Sequence, residues 1–475
     1  MALTERYVEV IPAWVNATAY TTTPLSLVIG SDGNAYYCIQ AHTSDTANDK
    51  PITGTNQATY WTICDGTATK PWTLTQAFAS VAAGDRVNIK KGTYQRSATD
   101  TPTIDGTAET PVVFRGYNTS IGDLVTVGRT NGNGPLITTD FPTIAYDSTF
   151  RLNAGGADYV LWQNLKITAT VSSYTVYTGP QCCIFQCLIV NASTNAAAIG
   201  LNVYGSFGYI VDSDIDMTGG SGTDAAISMV GQRLIGCHIL HAPNDGIKVT
   251  STAAVIIDCV IDNPGANGIT FTSTTVTHLA PLVYGCTIYS AGGDGILLPN
   301  AANTLPFLCI NSHITDSADY AIDSAYAGSM MGIFANNRTR DNAGGTIRGL
   351  ADWAAATTFA HVTDDTGDNT TDFVNAGVGD FRLIHAASGK ATGMPPYRDI
   401  GALQRAEPTF ALAGDVDSLA AAYGDTVSQT TPTCLLPLEA DVELDVQYGA
   451  GGTEFTGTLA GSGGGLPILG GSVVR

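Results

Sequence analysis

Seven positions in the middle of the chain constrain its fold more than any other feature. Cys187, Ser213, Cys237, Cys259, Cys286, Ser312 and Asn337 follow one another at intervals of 26, 24, 22, 27, 26 and 25 residues. Each of the first six is followed two places later by isoleucine: Ile189, Ile215, Ile239, Ile261, Ile288 and Ile314. From Cys237 onward a second row lies ten residues further on, at Ile247, Ile269, Ile296, Ile322 and Ile347. In three of these coils glycine precedes the isoleucine, at Gly246, Gly268 and Gly295. Helical repeats of similar length would space their apolar residues three and four apart. Here runs such as Ile235, Cys237, Ile239 alternate, which is the period of a strand and predicts that these three face inward together. Two short strands per repeat, broken by Asn-Asp-Gly and Gly-Asp-Gly turns, describe one coil of a solenoid. Stacked coils bury ladders of like side chains. The expected fold is all-β, a right-handed parallel β-helix.

Composition fits that reading. Only 13% of the 475 residues are charged and 53 are glycine, against a usual charged fraction of about 25%. Tight turns and small inward side chains need such a mixture. With 21 basic and 42 acidic residues the net charge is −21; a basic nucleic-acid surface is not expected. The opening MALTERYVEVIPAWVNAT lacks the basic and apolar regions of a secretory signal, and no stretch has the apolar length of a membrane span. Cys187, Cys237, Cys259 and Cys286 fall on the inward row and read as buried free thiols. Cys38 and Cys64 are left open as a pair, which a reducing compartment would disfavour.

Three regions follow. Residues 1–68 read as a small β module, expected to be separable. Leu25–Ile29, the turn Gly30-Ser31-Asp32-Gly33-Asn34, and Tyr36–Ser44 form a hairpin, followed by Pro51, Tyr60, Trp61 and Cys64. With Trp14 ahead of them, these residues resemble carbohydrate-binding modules of family 5/12, copies of which occur in phage structural proteins. The resemblance implies an exposed platform of Trp14, Tyr37 and Trp61; in so small a module the same aromatics can instead be its core. Residues 69–407 read as the β-helix. Leu74, Ala77, Phe78 and Val81 have helical spacing behind a Thr73-x-x-Gln76 capping box, so a short helix is expected to cover the first coil. Ala83-Gly84-Asp85-Arg86-Val87-Asn88-Ile89, Gly92 and Tyr94 resemble the opening of pectate-lyase-like β-helix proteins. Asp380-Phe381-Arg382-Leu383 and Asp399-Ile400-Gly401-Ala402-Leu403-Gln404 resemble their close. That superfamily holds lyases, hydrolases, epimerases and structural spikes, so the likeness implies fold more than activity. Residues 408–475 are Gly-rich. Asp441–Gly449 and Thr453–Gly457 resemble a segment near the ends of phage virion proteins, and the region reads as an anchoring or oligomerisation extension.

Strand alternation places Asp212, Gly236 and Asp258 in one outward column and Asp214, His238 and Val260 in the next. Asp212 and Asp258, two coils apart, would be separated by roughly 10 Å between Cα atoms, and carboxylates about 6.5–9.5 Å apart suit an inverting glycosidase. If the chain is a hydrolase, Asp212 and Asp258 are its acid and base and His238 a substrate contact; ordinary solvation explains the same aspartates, and no catalytic site is expected. His238 and His241 point to opposite faces of a strand, so no metal is expected, nor any cofactor. Asp245 and Asp294 read as turn stabilisers.

The resemblances at both ends, together with the fold, point to a bacteriophage virion structural protein: a spike, fibre or decoration contacting host-surface polysaccharide, partnered by other virion proteins and by copies of itself, a trimer being expected. Neither a membrane nor a nucleic acid is an expected partner. The alternatives are a tailspike-type glycoside hydrolase or polysaccharide lyase, and a bacterial surface adhesin.

Overall fold

A computed structural model describes residues 3–383 except 103, 125–126, 131–133, 196, 219–222, 251–253, 273–280, 299–306, 325–331, 349–361, 366–372 and 379, together with 447–448 and 455–456. Most of the strands fall into two long parallel sheets of 18 and 11 strands, wound as a solenoid of about nine turns. Each coil gives a strand or two to the larger sheet, turns a corner, and gives a three- or four-residue strand to the smaller. Thus Ile227–Ile235 leads through Gly236 into His238–Leu240. The next coil repeats it in register, with His238 opposite Val260 and Ile239 opposite Ile261. Both isoleucine rows line the interior and are buried from end to end, Ile347 alone being half-buried.

The corner explains where simple alternation fails. Asn164, Gln186, Asp212, Gly236, Asp258, Gly285, Asn311 and Asn336 occupy it in successive coils, all with φ between 47° and 64°. A left-handed residue reverses the inward–outward parity of the chain, and short polar side chains or glycine tolerate it best. Leu234, not Ile235, therefore faces inward before the corner, and Cys237 and Ile239 face inward after it. Ile235 lies on the outer side of the sheet, half-buried. This corrects the expectation that Ile235 shares the interior with Cys237. The Cys/Ser/Asn row itself is fully buried. Asn337 closes it, its Oδ1 accepting from Ser312 N at 2.9 Å and its Nδ2 donating to Cys309 O at 2.7 Å. All described cysteines are free, Cys38 and Cys64 included.

The start of the chain is woven into the solenoid. Thr4–Val8 runs parallel to Asp85–Lys90, Thr4 opposite Asp85 and Val8 opposite Ile89, as an additional strand of the larger sheet. The helix Leu74–Ser80 covers the interior as expected, with Phe78 packed on the stacked pair Phe114 and Trp162, whose rings lie 4.5 Å apart. Thr73 caps it by accepting from Gln76 N. The Gln76 side chain does something other than close a capping box: its Oε1 accepts from Ala35 N and its Nε2 donates to Cys64 O. It thereby pins the three-stranded sheet of Leu27–Ile29, Ala35–Cys38 and Trp61–Ile63 against the cap. The boundary expected at residue 68 is thus crossed by a β-ladder and by buried hydrogen bonds, and residues 1–404 form one compact unit.

At the other end, Asp380–Leu383 pairs antiparallel with Phe373–Asn375. Asp380 and Arg382 join through two hydrogen bonds of 2.7 and 2.5 Å. The Asp399–Gln404 motif and most of 408–475 lie outside the described residues; within the second unit, 405–475, Gln447–Tyr448 pairs with Phe455–Thr456.

Candidate glycan-contact surface

Asp212 and Asp258 are corner residues, one coil either side of Gly236. Their backbone amides continue the stacking, Asp212 N donating to Ile235 O and Asp258 N to Tyr284 O, each at 2.9 Å. A Cβ on Gly236 would stand 2.5 Å from Asp212 Oδ1, so the glycine makes room for that carboxylate. Half-burial raises the Asp212 carboxyl above its usual range while Arg129 pulls it down. The left-handed corner accounts for aspartate at both positions without chemistry.

His238 does not face solvent, which corrects its assignment as an outward substrate contact. It is 2% exposed, beneath an excursion that returns from residues 118–141. Arg129 of that excursion donates to Asp214 Oδ1 at 3.0 Å, to Gly134 O and to Gly236 O; Leu136 N donates to Asp214 Oδ2 at 2.6 Å. Burial pushes the Asp214 carboxyl up to about 6 against the pull of Arg129. Burial and then the Arg129 charge hold His238 well below the usual imidazole range, so it sits neutral. Further along the same outer column, Phe373, Phe381 and Leu383 pack on Val260, with Tyr289 beside them and the Phe373 ring 4.9 Å from His313. The outer column of the smaller sheet is therefore covered by the chain's own residues at Asp214, His238, Val260 and His313.

Asp245 and Asp294 stabilise turns as expected, but across coils. Asp245 Oδ1 accepts from the Asn267 amide and side chain, and Asp294 Oδ1 from Tyr320 N. Among the described residues no group of three His, Cys, Asp or Glu side chains could hold a metal ion.

The N-terminal aromatics do not form one platform. Trp61 is 3% exposed, donates its indole N–H to Asp49 O, and packs edge-on against Tyr20 in a small core with Trp14 at its margin. Tyr37 faces the other side of its strand, against the solenoid's core, with Lys70 Nζ 4.3 Å above its ring. Trp61 is thus part of the small core, while Trp14 and Tyr37 are half-buried at the margins of two different clusters and do not share one face with it.

An outward aromatic row that spacing alone did not single out lies on the larger sheet. Arg151 stacks on Tyr174 at 4.4 Å and donates to Ser173 Oγ. Tyr174 meets Tyr177 at 4.8 Å, and Tyr177 meets Tyr204 of the next coil at 6.2 Å. Tyr204 is 60% exposed and Tyr209 40%, on the same strand Ile199–Val211. Arg233 of the following coil stacks over Tyr209 at 5.0 Å and donates to its hydroxyl. Ile199–Val211 and Ile227–Ile235 run unbroken here, whereas the coils before and after divide into two strands with a connection between them. The signal available in the sequence was only the recurrence of tyrosine at Tyr174, Tyr177, Tyr204 and Tyr209, which share no single strand parity.

The solved structures to which this parallel β-solenoid is similar include polysaccharide lyases. A pectate lyase matches 72% of this chain and 94% of its own at 14% identity and a TM-score of 0.43. A rhamnogalacturonan lyase matches 66% of this chain and 88% of its own, at 12% identity and a TM-score of 0.40. A family 6 alginate lyase matches 57% of this chain at 11% identity and a TM-score of 0.39; the match spans only 38% of that enzyme. No family model and no curated protein matches the chain.

Proposed function

We propose that this chain is a bacteriophage virion surface protein, a β-helical spike, fibre or decoration, that holds host-surface glycan without cutting it. The observation that carries the glycan-contact reading is the row Arg151, Tyr174, Tyr177, Tyr204 with the pair Tyr209–Arg233 beside it. Aromatic faces stack on the C–H faces of sugar rings, and guanidinium groups donate paired hydrogen bonds to hydroxyls and carboxylates. In a chain of net charge −21, two arginines laid on outer-surface tyrosines, Tyr174 half-buried and Tyr209 exposed, stand out from the acidic background. The virion reading is supported by the likeness of the N-terminal hairpin region and of Asp441–Gly449 to segments of phage structural proteins. The test is native electrophoresis of the full chain through gels containing polygalacturonate, alginate or dextran, beside Tyr204→Ala and Tyr209→Ala. Retardation by one of these that the variants lose supports the glycan surface. No retardation, or equal retardation of the variants, overturns it. Mass spectrometry of purified phage particles tests the location, and absence from them overturns the virion reading.

A further inference from the structure

The arginines divide into two sets. Arg6, Arg86, Arg96, Arg129, Arg348 and Arg382 each meet an aspartate or glutamate. Arg115, Arg151 and Arg233 meet no carboxylate among the described residues, and all three stand on the outer side of the larger sheet. Carboxylates are plentiful in a chain with 42 acidic and 21 basic residues, so their absence around these three is selective. Arg115 takes no part in the tyrosine contacts. Phe114 before it is buried inside, so the Arg115 side chain points outward from the strand Val112–Tyr117. Its Nη2 donates to Asn88 Oδ1 at 2.9 Å, and its Nε is buried without a hydrogen-bond partner among the described residues. The neighbouring Glu5 carboxylate is occupied, accepting from Arg86 at 2.9 Å and from Asn88 Nδ2 at 2.6 Å. Burial, and then the Arg86 charge, lower Arg115 from the usual guanidinium range. A charge in that position gains by meeting an anion.

The strand register sets the distance from Arg115 to Arg233. Arg115 stands opposite Gln163, Gln163 opposite Phe185, Phe185 opposite Val211, and Val211 opposite Ile235, two places after Arg233. Those four steps of about 4.8 Å put the two arginines roughly 19 Å apart along the solenoid axis. Between them the outward residues are Gln163, Phe185 and Val211 in one column and Leu161, Cys183 and Tyr209 in the next. None carries a charge, and Tyr209 lies under Arg233. Aromatic and apolar faces suit neutral sugar rings, whereas a carboxylate laid on them would lose water and gain no ion partner.

We infer that Arg115 and Arg233 each hold a carboxylate of one glycan chain laid along the solenoid axis, and that neutral sugars separate those two carboxylates. The inference rests on the glycan-contact reading above and names its ligand class: a linear polysaccharide that carries its acidic sugars sparsely, one to a repeat. A polyuronate, charged on every sugar, would set carboxylates over Phe185, Val211 and Leu161 as well. A guanidinium with free N–H groups donates charge-assisted hydrogen bonds to a carboxylate. In an acidic chain it also marks the points where an anionic polymer meets least repulsion.

Isothermal titration of the full-length protein with fragments of gellan, a linear glycan whose tetrasaccharide repeat carries one glucuronate, tests this. The controls are polygalacturonate fragments of similar length and gellan fragments reduced at their carboxyls. Gellan should bind best, each control being weaker by about tenfold or more, the loss of at least one charged hydrogen bond. Arg115→Gln should weaken gellan by about tenfold and leave the reduced gellan unchanged, which separates charge from stacking. Arg115→Lys should fall between the two. The comparison of glycans is made on the wild type and decides the matter even where Arg115→Gln fails to fold, which its far-ultraviolet circular dichroism reports. Equal binding of gellan and its reduced form overturns the inference, as does polygalacturonate bound as tightly as gellan. A folded Arg115→Gln that binds gellan like the wild type overturns it too. In each of those cases glycan still binds, and the tyrosine row keeps its reading. Binding of none of the three overturns the inference, and the Tyr204→Ala and Tyr209→Ala gels then decide the tyrosine row separately.

Discussion

Arg129 and Asp214 lie 85 residues apart in the chain and 3.0 Å apart in the structure, and their contact fastens a long excursion over the outer face of the smaller sheet. Asp214 is almost fully buried and Arg129 largely so. Removing one partner strands the other charge in a poorly solvated site.

Arg129→Ala should therefore cost about 3–5 kcal/mol and make residues 118–141 the first site of proteolysis. Urea melts together with timed digestion measure both. Replacing the pair together, Arg129→Met with Asp214→Leu, should cost less than either single change, because no buried charge is left unpaired.

The corner predicts a ranking at Asp258. Asparagine or glycine there should be tolerated within about 1 kcal/mol, while valine, which is poorly accommodated at positive φ, should cost about 1–2 kcal/mol or more. Gly236→Ala should be worse than its backbone alone implies, since the new methyl meets the Asp212 carboxylate. Thermal melts of the four variants give the order, and a harmless valine would contradict the left-handed corner.

Cys259 is fully enclosed in the ladder between Cys237 and Cys286. Cys259→Arg puts an unpaired charge between two isoleucine rows and should unfold the middle coils, a loss above about 4 kcal/mol. Cys259→Ala should cost about 1–2 kcal/mol. An unchanged melting temperature for the arginine variant would mean that the register described above is wrong.

His313 supplies a pH dependence. It is fully buried, neither ring nitrogen has a hydrogen-bond partner among the described residues, and the Phe373 ring packs against it. Burial, and then the Arg338 and Arg340 charges, push it down to about 3. The unfolded chain takes up this proton near 6.5 and the folded chain does not. Stability from this group is thus complete above about pH 6.5 and is lost as pH falls toward 3. Asp214, Asp262 and Asp294, each raised to about 6 by burial, act in the opposite sense between about pH 4 and 6. The difference between wild type and His313→Phe isolates the histidine. The melting temperature of the variant should fall less between pH 7 and pH 4, and equal falls would contradict a buried neutral His313.

The isoleucine rows, the buried cysteines and the capping helix were all legible in the sequence, because each is a periodicity and periodicity survives without coordinates. The corner was legible too, as the run Asp212, Gly236, Asp258, Gly285, Asn311, Asn336 one place before the ladder. Reading it as outward strand instead of left-handed turn displaced Ile235 by one face. The burial of His238 was not legible, because what covers it comes from a non-repeating segment about a hundred residues earlier. The first strand escaped for a similar reason: Thr4–Val8 pairs with Asp85–Lys90 across the whole N-terminal hairpin region, and no local pattern announces so distant a partner.

Glycan binding without cleavage, proposed above for the tyrosine row, has a direct enzymatic test. The most direct measurement is incubation of the full-length protein with the polysaccharide that retards it in the gels, following both reducing ends and the absorbance of unsaturated uronate products. Neither signal is expected above a boiled control, with Asp212→Asn and Asp258→Asn indistinguishable from wild type in binding. Product formation that disappears in those two variants would contradict it and make the corner aspartates catalytic.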